Sequence, residues 1–226
     1  MTDPTAARAL LDRLRSDLAD LDREIRRHPY PAGFERREVE LEALVPFVAT
    51  EYYIAQSDLR SFAGMTQRFG ERPDVRGFFA GIYEGEAVAV EGLFRLAERI
   101  GLSTEWLDAY EVSPEGFGYA AYVAWSAQYA SAAEVATALL VNFGAWGENC
   151  RRLRDALRAG YGLAPEDTVY LDTFADLPDF EAEAREIVQR GLDRGVPARK
   201  IGRAARLFQG YEKMFWDAMT RLSAPA

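Results

Sequence analysis

Histidine and cysteine are almost missing from this chain of 226 residues, which holds one of each, His28 and Cys150. A lone cysteine closes no internal disulfide, and the pair together cannot build a Cys/His zinc site, so neither a disulfide scaffold nor a structural zinc domain is open to the sequence. Long apolar runs are missing as well. None approaches the roughly 18 residues of a membrane span. The amphipathic, charged stretch from Met1 to Arg27 lacks the apolar heart and small-residue cleavage site of a secretory leader, and a cytoplasmic protein is the expectation. Clustered positive charge is also absent: the net charge is -9 and the charges are of mixed sign, the wrong surface for neutralising phosphates, so no nucleic-acid partner is expected. No segment alternates β-branched residues with polar ones, which leaves no candidate strand.

What remains is helical. An apolar share of 49% with 28% charged residues is that of a globular protein, and one domain spanning residues 1 to 226 can bury a single large core without staples. Apolar residues recur at three- and four-residue steps almost throughout, predicting an all-α antiparallel bundle of seven or eight helices. A first helix is expected from Thr5 to Arg27, with Leu10, Leu11, Leu14, Leu18, Leu21 and Ile25 as its stripe, stopped by His28-Pro29-Tyr30-Pro31. Others are expected over Leu41 to Arg68, Pro73 to Ile100 (closed by Gly101), Glu115 to Tyr129, Ser131 to Ala159, Val169 to Phe174, Asp179 to Arg190 and, after a break from Gly191 to Pro197, on to Leu222. Ser131 and Glu134 form the signature of a capping box. Leu102 to Pro114 and Gly160 to Asp167 read as loops.

Two acids stand inside the apolar stripes. Glu51 lies three residues after Val48 and four before Ala55, and Glu212 lies four after Phe208 and three and four before Phe215 and Trp216. Both therefore face inward. An unpaired buried carboxylate costs several kcal/mol unless its pKa rises, so two of them indicate a polar cavity inside an apolar bundle or two structural ion pairs. Asn142, inside the stripe of Val135, Ala138, Leu139, Phe143, Trp146 and Leu153, has the same ambiguity: it bonds its neighbours or reads a polar ligand. Tyr119, Trp146, Tyr170, Tyr211 and Trp216 are candidates to wall a pocket for a flat heteroaromatic ring, with core packing as the competing reading.

Several segments together resemble the TenA/thiaminase II family, which has a heme oxygenase-like helical fold. His28-Pro29-Tyr30 is similar to the His-Pro-aromatic corner of that family. Phe47-Val48-Ala49-Thr50-Glu51-Tyr52-Tyr53 is similar to its acid-aromatic segment. Tyr119-Ala-Ala-Tyr122 matches its paired tyrosines, Ala138 to Trp146 the stretch bearing its cysteine nucleophile, and Tyr211-Glu212-Lys-Met-Phe215-Trp216 its final helix. The resemblance implies Glu51 in place of a ring-binding aspartate, Glu212 as the catalytic acid, and Tyr119 and Tyr170 as pocket tyrosines. Trp146 stands where another tyrosine is usual and Ile54 where an aromatic is usual.

Asn142 replaces the cysteine. An amide nitrogen has no free lone pair and cannot attack as a thiolate does, and Cys150 lies eight residues on, about 12 Å along an ideal helix. The resemblance thus implies a cysteine-free hydrolase acting by acid/base chemistry on a C–N bond of an aminopyrimidine, as in thiamin salvage, with no cofactor or metal and a homodimer or homotetramer as its assembly. The alternative is a divergent relative binding or processing another small molecule, such as a cofactor-free oxidase or natural-product enzyme. Metal oxidation would need an all-carboxylate site from Asp58, Glu86 or Glu91, and heme would need His28; the histidine count opposes a di-iron centre.

Overall fold

The computed structural model describes residues 5 to 224, in which eleven α-helices and two short 3-10 turns are joined without a strand. They are α1 (Ala6–Asp17), α2 (Ala19–Arg26), α3 (Pro29–Glu35), α4 (Val45–Arg68), α5 (Pro73–Arg99), α6 (Thr104–Asp108), α7 (Pro114–Tyr129), α8 (Ala132–Gly160), α9 (Val169–Ala175), α10 (Glu181–Asp193) and α11 (Ala198–Leu222). The turns, Leu41–Leu44 and Pro165–Thr168, lead into α4 and α9.

The all-α bundle expected from the periodicity is present, with more and shorter pieces at its edges. The single helix expected from Thr5 to Arg27 bends at Leu18 (φ -103°, ψ 3°), although backbone bonds from Leu18 N–H to the Leu14 carbonyl and from Asp22 N–H to the Leu18 carbonyl carry on through the bend. The bend lets one stripe serve two cores: Leu10, Leu14 and Leu18 pack with Val188, Ile201 and Ala205, whereas Ile25 joins the central cluster around Phe47 and Trp216. His28 and its prolines stop α2 as expected, but they also start α3. His28 is the N-cap, its Nδ1 accepting the Tyr30 N–H at 3.3 Å, and Pro29 takes the first helical position, where a missing N–H is harmless. A short helix, α6, occupies part of the expected loop from Leu102 to Pro114.

The longer helix boundaries follow their signals. Gly101 closes α5 at φ 83°, a conformation that a side chain opposes, and the Leu102 N–H returns to the Ala97 carbonyl. Ser131 opens α8 with the expected capping box: its Oγ accepts the Glu134 N–H, and Glu134 accepts the Ser131 N–H at 2.9 Å. Helices α4 and α5, joined by a four-residue turn, pack along their length; α7 packs on α4 and α11; α8 is the central helix, contacted by α2, α3, α9, α10 and α11.

One close approach sets the site. A Cβ at Gly92 in α5 would lie 2.5 Å from the Tyr170 backbone nitrogen, so only glycine lets α9 sit this near α5. That contact fixes Tyr170 over the α4/α5 wall. No helix among the described residues is long and apolar enough to cross a membrane.

Candidate active site

Six helices contribute side chains to one cavity: Glu51, Ile54, Ala55 and Asp58 from α4, Glu86 from α5, Tyr119 from α7, Asn142, Phe143 and Trp146 from α8, Tyr170 and Phe174 from α9, and Glu212 and Phe215 from α11. Of the residues singled out in the sequence, Glu51, Glu212, Asn142, Tyr119, Trp146 and Tyr170 line it together. The α4 contributors lie at steps of three, four and seven, the spacing that keeps them on one helix face. The reading of both acids as inward-facing holds in three dimensions, since Glu51 and Glu212 are each 2% exposed.

Neither acid is held by a basic partner. Among the described residues, no Lys, Arg or His lines the cavity. Glu51 Oε2 accepts the Tyr170 hydroxyl at 2.5 Å. Glu212 Oε1 accepts the Trp216 indole N–H at 3.1 Å, and its Oε2 pairs with the Asn142 amide. Tyr119 hydroxyl donates to Asn142 Oδ1 at 3.1 Å, completing a chain from Tyr119 through Asn142 to Glu212. Asn142 is therefore satisfied by protein groups on both ends of its amide, and it also lines the cavity; the two readings open in the sequence coincide in one residue.

Burial dominates the electrostatics. It pushes the Glu51 carboxyl up to about 8, against the Tyr170 hydrogen bond, with the Glu86 charge adding to the rise. It pushes Glu212 up to about 8 against the hydrogen bonds from Trp216 and Asn142. At pH 7 both are mainly protonated, the state in which a carboxyl can give a proton to a leaving group. Tyr119 and Tyr170 are held well above the usual phenol range by burial and by the surrounding acids, so they remain hydrogen-bond donors. Cys150 is fully buried and its thiol is pushed up by that burial, leaving it no thiolate for nucleophilic work.

Two of the expected wall aromatics do not line the cavity. Trp216 packs tilted against Trp146 (ring centres 5.1 Å) and stacked on Phe47 (5.9 Å), and reaches Glu212 through its indole N–H. Tyr211 packs beside Tyr122 on the α7/α11 side, where Gly118 also approaches it.

Two further acids complete the lining. Asp58 and Glu86, 4% and 7% exposed, line the same cavity, whereas Glu91 is exposed. They had entered only as possible metal ligands, yet the signal was available: Asp58 lies seven residues, two helical turns, beyond Glu51 on the same face. Among the described residues, no group of three or more His, Cys, Asp or Glu side chains is gathered as a metal-binding set. His28 does not line the cavity and is fully engaged, with Nδ1 accepting the Tyr30 N–H and Nε2 3.1 Å from Asp217 Oδ1; that leaves no ring nitrogen for an iron.

Comparison with known proteins agrees with this architecture. The sequence profile described as the TENA/THI-4/PQQC family matches residues 15 to 222. Among solved structures, the chain is similar to a TenA homolog from Pseudomonas syringae pv. tomato str. DC3000 at 15% identity and a TM-score of 0.79, covering 98% of each chain. It is also similar to TenA homologues from Pyrococcus furiosus (19% identity, TM-score 0.70, covering 93% of this chain and 99% of that one) and from P.horikoshii OT3 (20%, 0.72, covering 94% and 98%). At these identities the likeness is one of fold. No curated protein sequence matches.

Proposed function

The chain belongs to the TENA/THI-4/PQQC family, and within that family we propose that it is a small-molecule hydrolase acting on a C–N bond of an aminopyrimidine by acid/base chemistry without a cysteine nucleophile. The observation that carries this reading is the convergence of Glu51 and Glu212, from helices far apart in sequence, on one secluded cavity walled by Tyr119, Trp146 and Tyr170.

In this reading the ring lies among those aromatics, and Glu51, steadied by Tyr170, pairs with the amidine edge of the pyrimidine as both donor and acceptor. Glu212 gives its proton to the departing amine. As a carboxylate it then takes a proton from the attacking water, so that an aminomethyl group and water become a hydroxymethyl group and ammonia. Asn142 and Trp216 hold Glu212 in place, and the Tyr119 hydroxyl keeps the Asn142 amide in one orientation. Burial that raises Glu212 toward neutrality suits it to both halves of that cycle. Ammonia or hydroxymethylpyrimidine released from an aminomethylpyrimidine by purified protein tests the proposal, and full activity in Glu212→Gln would remove the acid from it.

A second reading, another small basic molecule as substrate, is favoured by one specific observation: Asp58 and Glu86, which the family resemblance does not account for, enlarge the acidic lining. Assembly as a homodimer or homotetramer belongs to the same proposal. It is supported by an aromatic ladder on α7, where Tyr122 and Trp125 stack at 5.5 Å and Trp125 and Tyr129 are 45% and 67% exposed. Light scattering that found only monomer would remove that element.

A further inference from the structure

Four acids line the cavity, and the chemistry proposed above employs two. Asp58 and Glu86 form the remainder. Asp58 is 4% exposed, and its Oδ1 is buried with no hydrogen-bond partner; Glu86, on α5, is 7% exposed and lines the same cavity. A buried, unsatisfied carboxyl oxygen costs about 1 to 3 kcal/mol, and more if charged, so a fold that keeps one beside a second acid forgoes stability there. An aliphatic pair at these positions would pack better. Burial pushes both carboxyls up, and at Asp58 the charges of Glu86 and Glu51 add to the rise, so in the free protein the pair is held largely as neutral acids.

The chemistry that completes such a pair is a cation with hydrogen-bond donors. Position restricts it further. Asp58 lies two turns beyond Glu51 on one face of α4, about 10 Å along the helix axis, with Ile54 and Ala55 between them on the cavity wall. A group bound at Asp58 and Glu86 is thus a separate part of a ligand whose ring sits at Glu51, joined to it across an apolar stretch.

We propose that Asp58 and Glu86 form a second binding subsite, taking a protonated amine carried by the substrate on an arm remote from the ring. This rests on the aminopyrimidine reading for the identity of the ring and on Asp58 and Glu86 alone for the amine. On binding, the ammonium replaces a proton on the acid pair, and that proton is released to solvent.

The test compares a 4-aminopyrimidine bearing an alkyl arm that ends in a primary amine with its counterpart ending in a methyl group, and adds a plain alkane diamine. Binding to the full-length protein is followed by calorimetry at pH 7 in two buffers of different ionisation enthalpy. The amine-ended ligand is expected to bind about tenfold or more tighter than the methyl-ended one, with proton release that the latter lacks. In Asp58→Asn, and independently in Glu86→Gln, that ratio falls to about one and the extra proton release disappears. A structural role for the pair would not move either readout.

If both ring ligands bind equally well to the wild type, or if both variants keep the full ratio, the subsite is overturned and the ring reading stands. If neither ring ligand binds but the diamine does, and loses its affinity in Asp58→Asn, the ring reading falls and the subsite stands. Failure of all three ligands overturns both.

Discussion

Replacing Glu212 with glutamine isolates the physical claim on which the candidate site depends, that this carboxyl is buried as a neutral acid. Its pKa stands at about 8 in the folded protein against an ordinary 4.5. Between those values the folded state holds a proton that the unfolded chain has released, so the stabilisation is present in full below pH 4.5 and is lost as pH rises toward 8. The loss is about 1.4 kcal/mol per pH unit for this group. Glutamine imitates the protonated form: its amide can donate toward Asn142, whose own amide turns over with Tyr119 now accepting, while its oxygen still accepts the Trp216 indole. It does not titrate.

The stability of Glu212→Gln relative to wild type should therefore climb by on the order of 3 kcal/mol between pH 5 and pH 8. In a chain of this size that is a relative gain in Tm of roughly 6 to 12 °C. Denaturant titrations or thermal melts across the interval measure it. Burial is the largest cause of the rise at Glu212, with the charges of Asp22 and Arg26 acting in opposite directions, so the titration tests desolvation above all. A flat difference would mean that Glu212 is already ionised near its ordinary pKa, and the argument for it as a proton donor at neutral pH would collapse.

Three other expectations test neighbouring parts of the site. Tyr170→Phe removes the 2.5 Å hydrogen bond that favours ionised Glu51, so Glu51 should climb further and the protein should lose about 1 to 2 kcal/mol of stability, read by denaturant titration, with aminopyrimidine binding about tenfold weaker by calorimetry. Gly92→Ala places a methyl against the Tyr170 backbone and should lower stability by about 1 to 3 kcal/mol; a variant as stable as wild type would show that α9 has room to retreat. Native protein should resist iodoacetamide at pH 8 and react only once unfolded, because Cys150 is fully buried and its thiolate is disfavoured; rapid labelling seen by mass spectrometry would contradict the packing around α8.

The helical period carried much of this architecture into view. Position along a 3.6-residue repeat is a local property, so Glu51, Asn142 and Glu212 could be placed on inward faces from their neighbours alone, and the capping box at Ser131 and the glycine at 101 marked their boundaries. What the repeat cannot carry is which inward face meets which. Trp216 and Tyr211 have the same kind of spacing as Trp146, yet Trp146 alone of the three lines the cavity, because the turn of α11 against α7 and α8 decides what stands in front of Glu212. The bend at Leu18 was hidden for a related reason: its stripe is continuous in sequence, and the division into two cores exists only after α10, α11 and α8 have packed around it.

By itself, then, the sequence determined an all-helical chain with carboxyl groups and an amide turned toward its interior, since backbone period, the scarcity of thiols and imidazoles and the lack of strand-forming runs are written residue by residue. Tertiary structure alone decided that Asp58 and Glu86 join Glu51 and Glu212 in one cavity, that among the described residues no Lys, Arg or His lines it with them, and that Asp58 keeps an oxygen without a partner. Those facts depend on distances between helices remote in the chain, and desolvation, which sets the protonation of every one of these groups, arises only when the helices close around them.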